Sequence, residues 1–183
     1  MSVKPDRWIR EMAQKCQMIE PFVERHAGQG IISFGLQPCG YDARLDPKIL
    51  IFDWTRAQGV ALDPLNPRSD FYFERMALPY YEIPPHGFVE AMTVEYFRIP
   101  KNCTARGAGK TTYSSVGLSL NISSINPGWE GRLRLHIANS SPVPIRIYGG
   151  QGIVYLEFSE LDGECEVGYE RLSGTKFHKQ SSL

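Results

Sequence analysis

The sequence predicts a mainly β protein with one short helix at its N-terminus. Three observations carry that prediction. Gly (17) and Pro (13) are too frequent for a helical bundle. From Tyr41 onward, short runs rich in Val, Ile, Phe and Tyr recur between Pro, Gly, Asn and Ser turns. Apolar residues at helical spacing are confined to the segment before Cys16. Many short strands at this spacing imply a closed or double-sheet β fold.

Taken in order, Asp6–Lys15 is the helix. Trp8, Ile9 and Met12 share one face at helical spacing, and Asp6 is placed to cap the start. Met18–Val23 is apolar but holds Pro21, which makes it an edge strand. Gly28–Gly30 is a turn into a strand over Ile31–Leu36, which ends at a bend in Pro38-Cys39-Gly40. Ile49–Trp54 is β-rich, whereas Ala61–Asp70, with Pro64 and Pro67, is loop. Strands are expected over Tyr80–Ile83, Gly87–Met92 and Val94–Ile99, with breaks at Pro84-Pro85 and Pro100. Leu118–Ile122, Arg132–Ala138, Ile145–Tyr148 and Ile153–Phe158 follow. Leu133, Leu135 and Ile137 alternate with Arg132, Arg134 and His136, the pattern of a half-buried strand with His136 on its polar side.

The chain has 183 residues, 42% of them hydrophobic and 22% charged, enough for one domain with its own core or one subunit of a small oligomer. No repeat or linker divides it, so 1–183 is read as a single domain. Within it, 1–24 is the N-terminal helix and edge segment, and the polar stretch 175–183 is a tail expected to be mobile without ligand. Formal net charge is zero, which gives no electrostatic case for a nucleic-acid partner. No run approaches the ~18 apolar residues that would cross a membrane. The N-terminus is charged and lacks an apolar core, so it is not a signal peptide, and the expected location is cytoplasmic. Cys16, Cys39, Cys103 and Cys165 are scattered without a CxxC, which suits reduced thiols and no zinc.

Gly109-Lys110-Thr111 resembles the end of a phosphate-binding loop. That motif needs a glycine at position 104, where Thr stands, and a helix afterwards, where β-type residues follow. A basic residue beside two hydroxyls suits phosphate oxygens, and on local sequence a polar hairpin fits equally well. Asp42 and Arg44, two apart on a strand, share a face; an ion pair between them is a better reading than a polar site. His136 lies far from the other histidines, so by itself it is a hydrogen-bonded polar residue before it is a ligand or a base. Metal-ligand spacing is absent, which excludes a zinc deaminase of the His/Cys/Cys type. No nucleophile-elbow sequence supports a Ser/His/Asp triad.

Longer words in order carry a family resemblance. DRWIREMA and MIEPFVE open the chain, followed by Gly40-Tyr41-Asp42-Ala43-Arg44 and Ile83-Pro84-Pro85. Thr93-Val94-Glu95-Tyr96-Phe97-Arg98-Ile99-Pro100, the run from Gly109, Pro127-Gly128-Trp129-Glu130-Gly131 and Asn139 complete the set. Together they resemble the deoxycytidine triphosphate (dCTP) deaminases, of the trimeric deoxyuridine triphosphatase (dUTPase) superfamily, over nearly the whole chain. The resemblance implies a distorted β-barrel or jelly roll of the dUTPase-like type, assembled as a homotrimer with active sites between subunits. It implies a hydrolase that binds a pyrimidine deoxynucleoside triphosphate with Mg2+, the ion held mainly by phosphate oxygens and water. Lys110, Thr111 and Thr112 fall where the family cradles the triphosphate. Tyr169, Lys176 and Gln180 fall where its C-terminal segment closes over the phosphates, although Phe177 replaces a second Tyr.

The chain departs from the family where the chemistry is done. The Glu that activates water for attack on C4 of cytosine falls at His136, and its partner Arg falls at Ser115. An acidic residue that contacts the sugar falls at Asn126, and a Gln late in the barrel falls at Tyr155. Loss of a general acid/base costs about 10²–10⁴-fold, so ordinary dCTP deamination is expected to be very slow or absent. Hydrolysis of dUTP is also disfavoured, because the amide of Asn126 cannot take a proton from water. Three functions follow: a deaminase-type enzyme with altered chemistry or a modified pyrimidine substrate, an inactive nucleotide-binding or regulatory paralogue, and, least favoured, a structural trimer.

Overall fold

The computed structural model describes residues 2–172 and 179. In chain order the elements are β1 (Ser2–Val3), α1 (Asp6–Cys16), β2 (Ile19–Glu20), β3 (His26–Gly28), β4 (Ile31–Gln37) and β5 (Gly40–Phe52). β6 (Tyr72–Met76), β7 (Tyr81–Ile83), β8 (Phe88–Arg98), β9 (Cys103–Gly109) and α2 (Thr111–Ser114) come next. β10 (Leu118–Asn121), β11 (Glu130–Asn139), β12 (Ile145–Ile147) and β13 (Gly152–Glu160) close the domain. The result is the expected mainly β, curled barrel with one short N-terminal helix.

The pairings given for the strands are all antiparallel, as expected for strands joined by tight Pro/Gly turns. The sheet path runs β1-β13-β5-β8-β11-β10, and β7 with β12 forms a separate ribbon. The curl comes from β5, whose first residues pair with β13 and β4 while its second half pairs with β8 and β6. Its register against β8 shifts between Leu45 and Ile49, around Pro47, a residue that a regular ladder cannot accommodate. Inward positions of β5, β8, β11 and β13 supply the core: Tyr41, Leu45, Ile49, Phe97, Leu135, Ile137, Leu156 and Phe158 are all fully buried. α1 closes one end by burying Ile9 and Ala13, with Trp8 and Met12 packed beside them. No helix among the described residues is long and apolar enough to cross a membrane.

Several local expectations are corrected. Asp6 is the first helical residue and Pro5 occupies the cap, so the Asp6 carboxylate instead accepts from the Arg7 N–H at 2.7 Å. Only Ile19–Glu20 of the expected edge strand pairs, against β8. β8 runs unbroken from Phe88 to Arg98, because Thr93 turns its hydroxyl back to the Glu95 carbonyl at 2.7 Å and stays inside the strand. β6 and β9 form where no strand is expected. The sequence after Gly109 enters the one-turn helix α2 rather than continuing as β, since buried Tyr113 anchors the turn by accepting the Tyr148 N–H at 3.3 Å.

Candidate functional site

The Gly109-Lys110-Thr111-Thr112 segment leaves β9 and closes into α2, with Tyr113, Ser114 and Ser115 N–H groups bonded back to Lys110 and Thr111 carbonyls. Thr111 and Thr112 are both exposed. Lys110 is not: its ammonium lies 2.6 Å from Asp42 and 3.3 Å from the Ser33 hydroxyl, and its side chain is 11% exposed. Burial pushes the Asp42 carboxyl above its ordinary range, against the opposing pull of Lys110. The Gly40–Arg44 word is therefore structural. Asp42 holds Lys110, and Arg44 holds fully buried Glu95 through its Nε at 2.7 Å and its backbone N–H at 2.8 Å. Asp42 and Arg44 thus form ion pairs, but with these partners rather than with each other. Gly40 admits no side chain, since a Cβ there would stand 2.5 Å from the Leu156 carbonyl and the Tyr155 ring.

A cavity of about 410 Å³ opens beside β11. Asn126, Trp129, Arg134, His136 and Tyr169 line it, with Ile125 and Leu133 supplying apolar wall. Asn126-Pro127-Gly128-Trp129 is a type II turn: Pro sits second, Gly128 has φ +77°, and the Trp129 N–H reaches the Asn126 carbonyl at 3.1 Å. That turn aims Asn126 and Trp129 at the same space, and Tyr169 is held over it by a backbone bond to Pro127 at 2.9 Å. His136 stands on the outward row of β11 with a half-exposed side chain. A second cavity of about 390 Å³ is bordered by Gly109, Ser114, Gly117 and Ser140, and Asn121 lines both.

The residues expected to form one site thus fall into groups. Asn126, His136 and Tyr169 share the larger cavity. Lys110, Thr111, Thr112 and Ser115 lie on the α2 turn outside both, and the Ser115 hydroxyl is bonded to the Thr112 carbonyl at 3.0 Å. Tyr155, expected in the same pocket, is elsewhere: its hydroxyl donates to the Cys39 carbonyl at 2.9 Å. Lys176, Gln180 and the rest of the 175–183 tail lie outside the described residues, apart from Lys179, whose N–H bonds the Glu130 carbonyl at 2.8 Å. The sequence does not single out Glu90, which the ladder sets directly opposite His136. The alternation that exposes Arg132, Arg134 and His136 is the available signal, but it does not give the strand that pairs with them.

Comparison with known proteins agrees with this architecture. A family profile described as dCTP deaminase-like matches residues 3–161. A dCTP deaminase of Wolbachia pipientis wMel is 42% identical over 183 residues, covering all of this chain and 97% of that protein. One from Granulibacter bethesdensis is 42% identical over 174 residues, covering 95% of this chain and 93% of the relative. Among solved structures, the 2'-deoxycytidine 5'-triphosphate deaminase from Agrobacterium tumefaciens superposes with a TM-score of 0.65 at 16% identity. The match takes in 85% of this chain but 46% of that one, and at this identity it speaks to the fold.

Proposed function

Since the chain belongs to the dCTP deaminase-like family, we propose that it binds a pyrimidine deoxynucleoside triphosphate and deaminates dCTP far more slowly than a relative carrying the carboxylate at position 136. The observation that carries this reading is the cavity that joins Asn126, His136 and Tyr169 against Trp129. Its volume lies within the ~300–1,000 Å³ typical of small-molecule sites, with the mixed apolar and polar lining such sites have. Trp129, buried with an edge on the cavity wall, offers an apolar surface for the base, and Asn126 offers an amide that both donates and accepts.

Phosphate recognition falls to the α2 turn. The hydroxyls of exposed Thr111 and Thr112 donate to phosphate oxygens, while Lys110, committed to Asp42, shapes the turn from beneath. The turn lies off the cavity in a single chain, so the reading includes a homotrimer in which one copy brings its turn to the cavity of another. Lys179 bonds Glu130, the neighbour of Trp129; the roles assigned to Lys176 and Gln180 rest on the sequence resemblance alone. Among the described residues no three His, Cys, Asp or Glu side chains converge as a metal cage. The reading places Mg2+ on the triphosphate, as the family resemblance implies, where it would neutralise phosphate charge. A cytoplasmic location accords with such a ligand.

Calorimetry with the four common deoxynucleoside triphosphates and dUTP, with Mg2+, tests the binding. Heat of binding is expected for the pyrimidine nucleotides, and its absence for all of them would overturn the reading. In parallel, ammonia release from dCTP should fall well below roughly 1 s⁻¹, the low end of common enzyme rates.

A further inference from the structure

Glu90 is the residue that the family resemblance leaves without a role. It faces His136 across the β8–β11 ladder, and its side chain is 14% exposed. Arg134 Nη1 donates to one of its oxygens at 3.1 Å, and His136 Nδ1 stands 3.8 Å from the other. On β6, two strands over from β8, the Tyr72 hydroxyl is pushed up to about 12, first by burial and then by the Glu90 charge. The carboxylate thus lies on the same sheet face as the imidazole, flanked by Tyr72 and Arg134. His136 and Arg134 line that cavity, and Arg134 Nε is buried without a hydrogen-bond partner among the described residues. With Nδ1 turned to Glu90, Nε2 is the ring nitrogen left for a ligand or water.

We propose that Glu90 is a positioning residue that makes His136 a general base, so that the carboxylate missing at position 136 is supplied from the paired strand by Glu90 and the guanidinium missing at position 115 from the strand of His136 itself by Arg134. A carboxylate on Nδ1–H fixes the tautomer and orientation of an imidazole and stabilises the cation it becomes. The 3.8 Å separation exceeds a hydrogen bond, as is common in unliganded sites whose contacts tighten when substrate arrives. In the reaction, Nε2 takes a proton from water as the water oxygen bonds to C4 of the cytosine. That proton passes to the departing amino nitrogen, the C4–N bond breaks and ammonia leaves. Water and dCTP give dUTP and ammonia, with no other reactant. The alternative role for Glu90 is an ion pair with Arg134 that only pins β8 to β11.

This inference rests on the nucleotide-binding reading above, and the test separates the two. Full-length protein is incubated with dCTP and Mg2+, ammonia and dUTP are followed, and dCTP affinity is measured by calorimetry. Slow release of ammonia is expected from the wild type. Glu90→Gln should lower kcat about 10-fold or more with dCTP affinity and KM within about twofold of wild type, and His136→Gly should lower kcat roughly 10²-fold. Added imidazole should restore turnover to His136→Gly, which a purely structural role would not produce. Glu90→Asp, which keeps the charge should the amide variant fold poorly, should retain part of the activity. Equal turnover in wild type and Glu90→Gln overturns the proposal, as does wild-type release no greater than that of His136→Gly while dCTP still binds. Failure of dCTP to bind overturns both readings together.

Discussion

Installing a carboxylate at position 136 is the obvious way to recover the family's chemistry, and the structure predicts that it fails by itself. Glu90 lies directly opposite in the ladder, and its Oε1 is 3.8 Å from the His136 ring. His136→Glu would therefore set two carboxylates about 4 Å apart. At an effective dielectric near 20, unit charges at that separation repel by ~4 kcal/mol. The side chain at 136 is half exposed, so solvent screening reduces the penalty to about 1–2 kcal/mol. With a urea slope of about 1–3 kcal/mol/M, the unfolding midpoint should fall by roughly 0.3–2 M. The new carboxyl would have a raised folded pKa, so the penalty should be absent at pH values below the unfolded carboxylate range. It should grow as pH rises through that folded value. Urea unfolding at fixed protein concentration, in His136→Glu with and without Glu90→Gln, measures this directly. The Glu90→Gln background should remove most of the penalty. An equal midpoint shift in both backgrounds would refute the register and distance used here. Recovery of fast dCTP deamination should accordingly need three changes, His136→Glu, Ser115→Arg and Glu90→Gln.

Asp42→Asn should destabilise the protein by about 3–5 kcal/mol by stranding the buried Lys110 ammonium, and Lys110→Met added to it should recover much of that loss in thermal or urea melts. Glu95 titrates above its ordinary value because burial outweighs Arg44, so its contribution is fully present below the unfolded carboxylate range and is lost as pH rises through the folded value. Glu95→Gln should therefore flatten the pH dependence of stability above about pH 4, and an unchanged slope would contradict the burial argument. Light scattering should give a mass three times 20.7 kDa, and a monomeric mass in the presence of nucleotide would contradict a site shared between copies.

The parts of the fold legible in the sequence are those governed by local pattern. α1 follows from Trp8, Ile9 and Met12, and β11 follows from the alternation around His136. β9 is not legible because Gly107, Ala108 and Gly109 have little strand preference and are held by their ladder with β13. α2 is misread as β because Thr111, Thr112 and Tyr113 favour strands, while a single buried ring, Tyr113, closes the turn. At the site, the words around Lys110 and Trp129 mark the family, and the substitutions at Ser115 and His136 are visible at once. The surroundings of His136 are not, because Glu90 and Arg134 meet across 44 residues of sequence and only strand register brings them together. For the same reason Asp42 looks like a partner for Arg44 two residues away, when Lys110 and Glu95 are the actual partners.

Titration of the full-length protein with dCTP and Mg2+ in a calorimeter, repeated with a Trp129→Ala variant, tests the central claim most directly. Saturable binding by the wild type, weakened at least about tenfold when the ring that walls the cavity is removed, is the predicted result. Absence of binding by the wild type, or binding that ignores Trp129, would contradict the placement of a pyrimidine nucleotide beside His136.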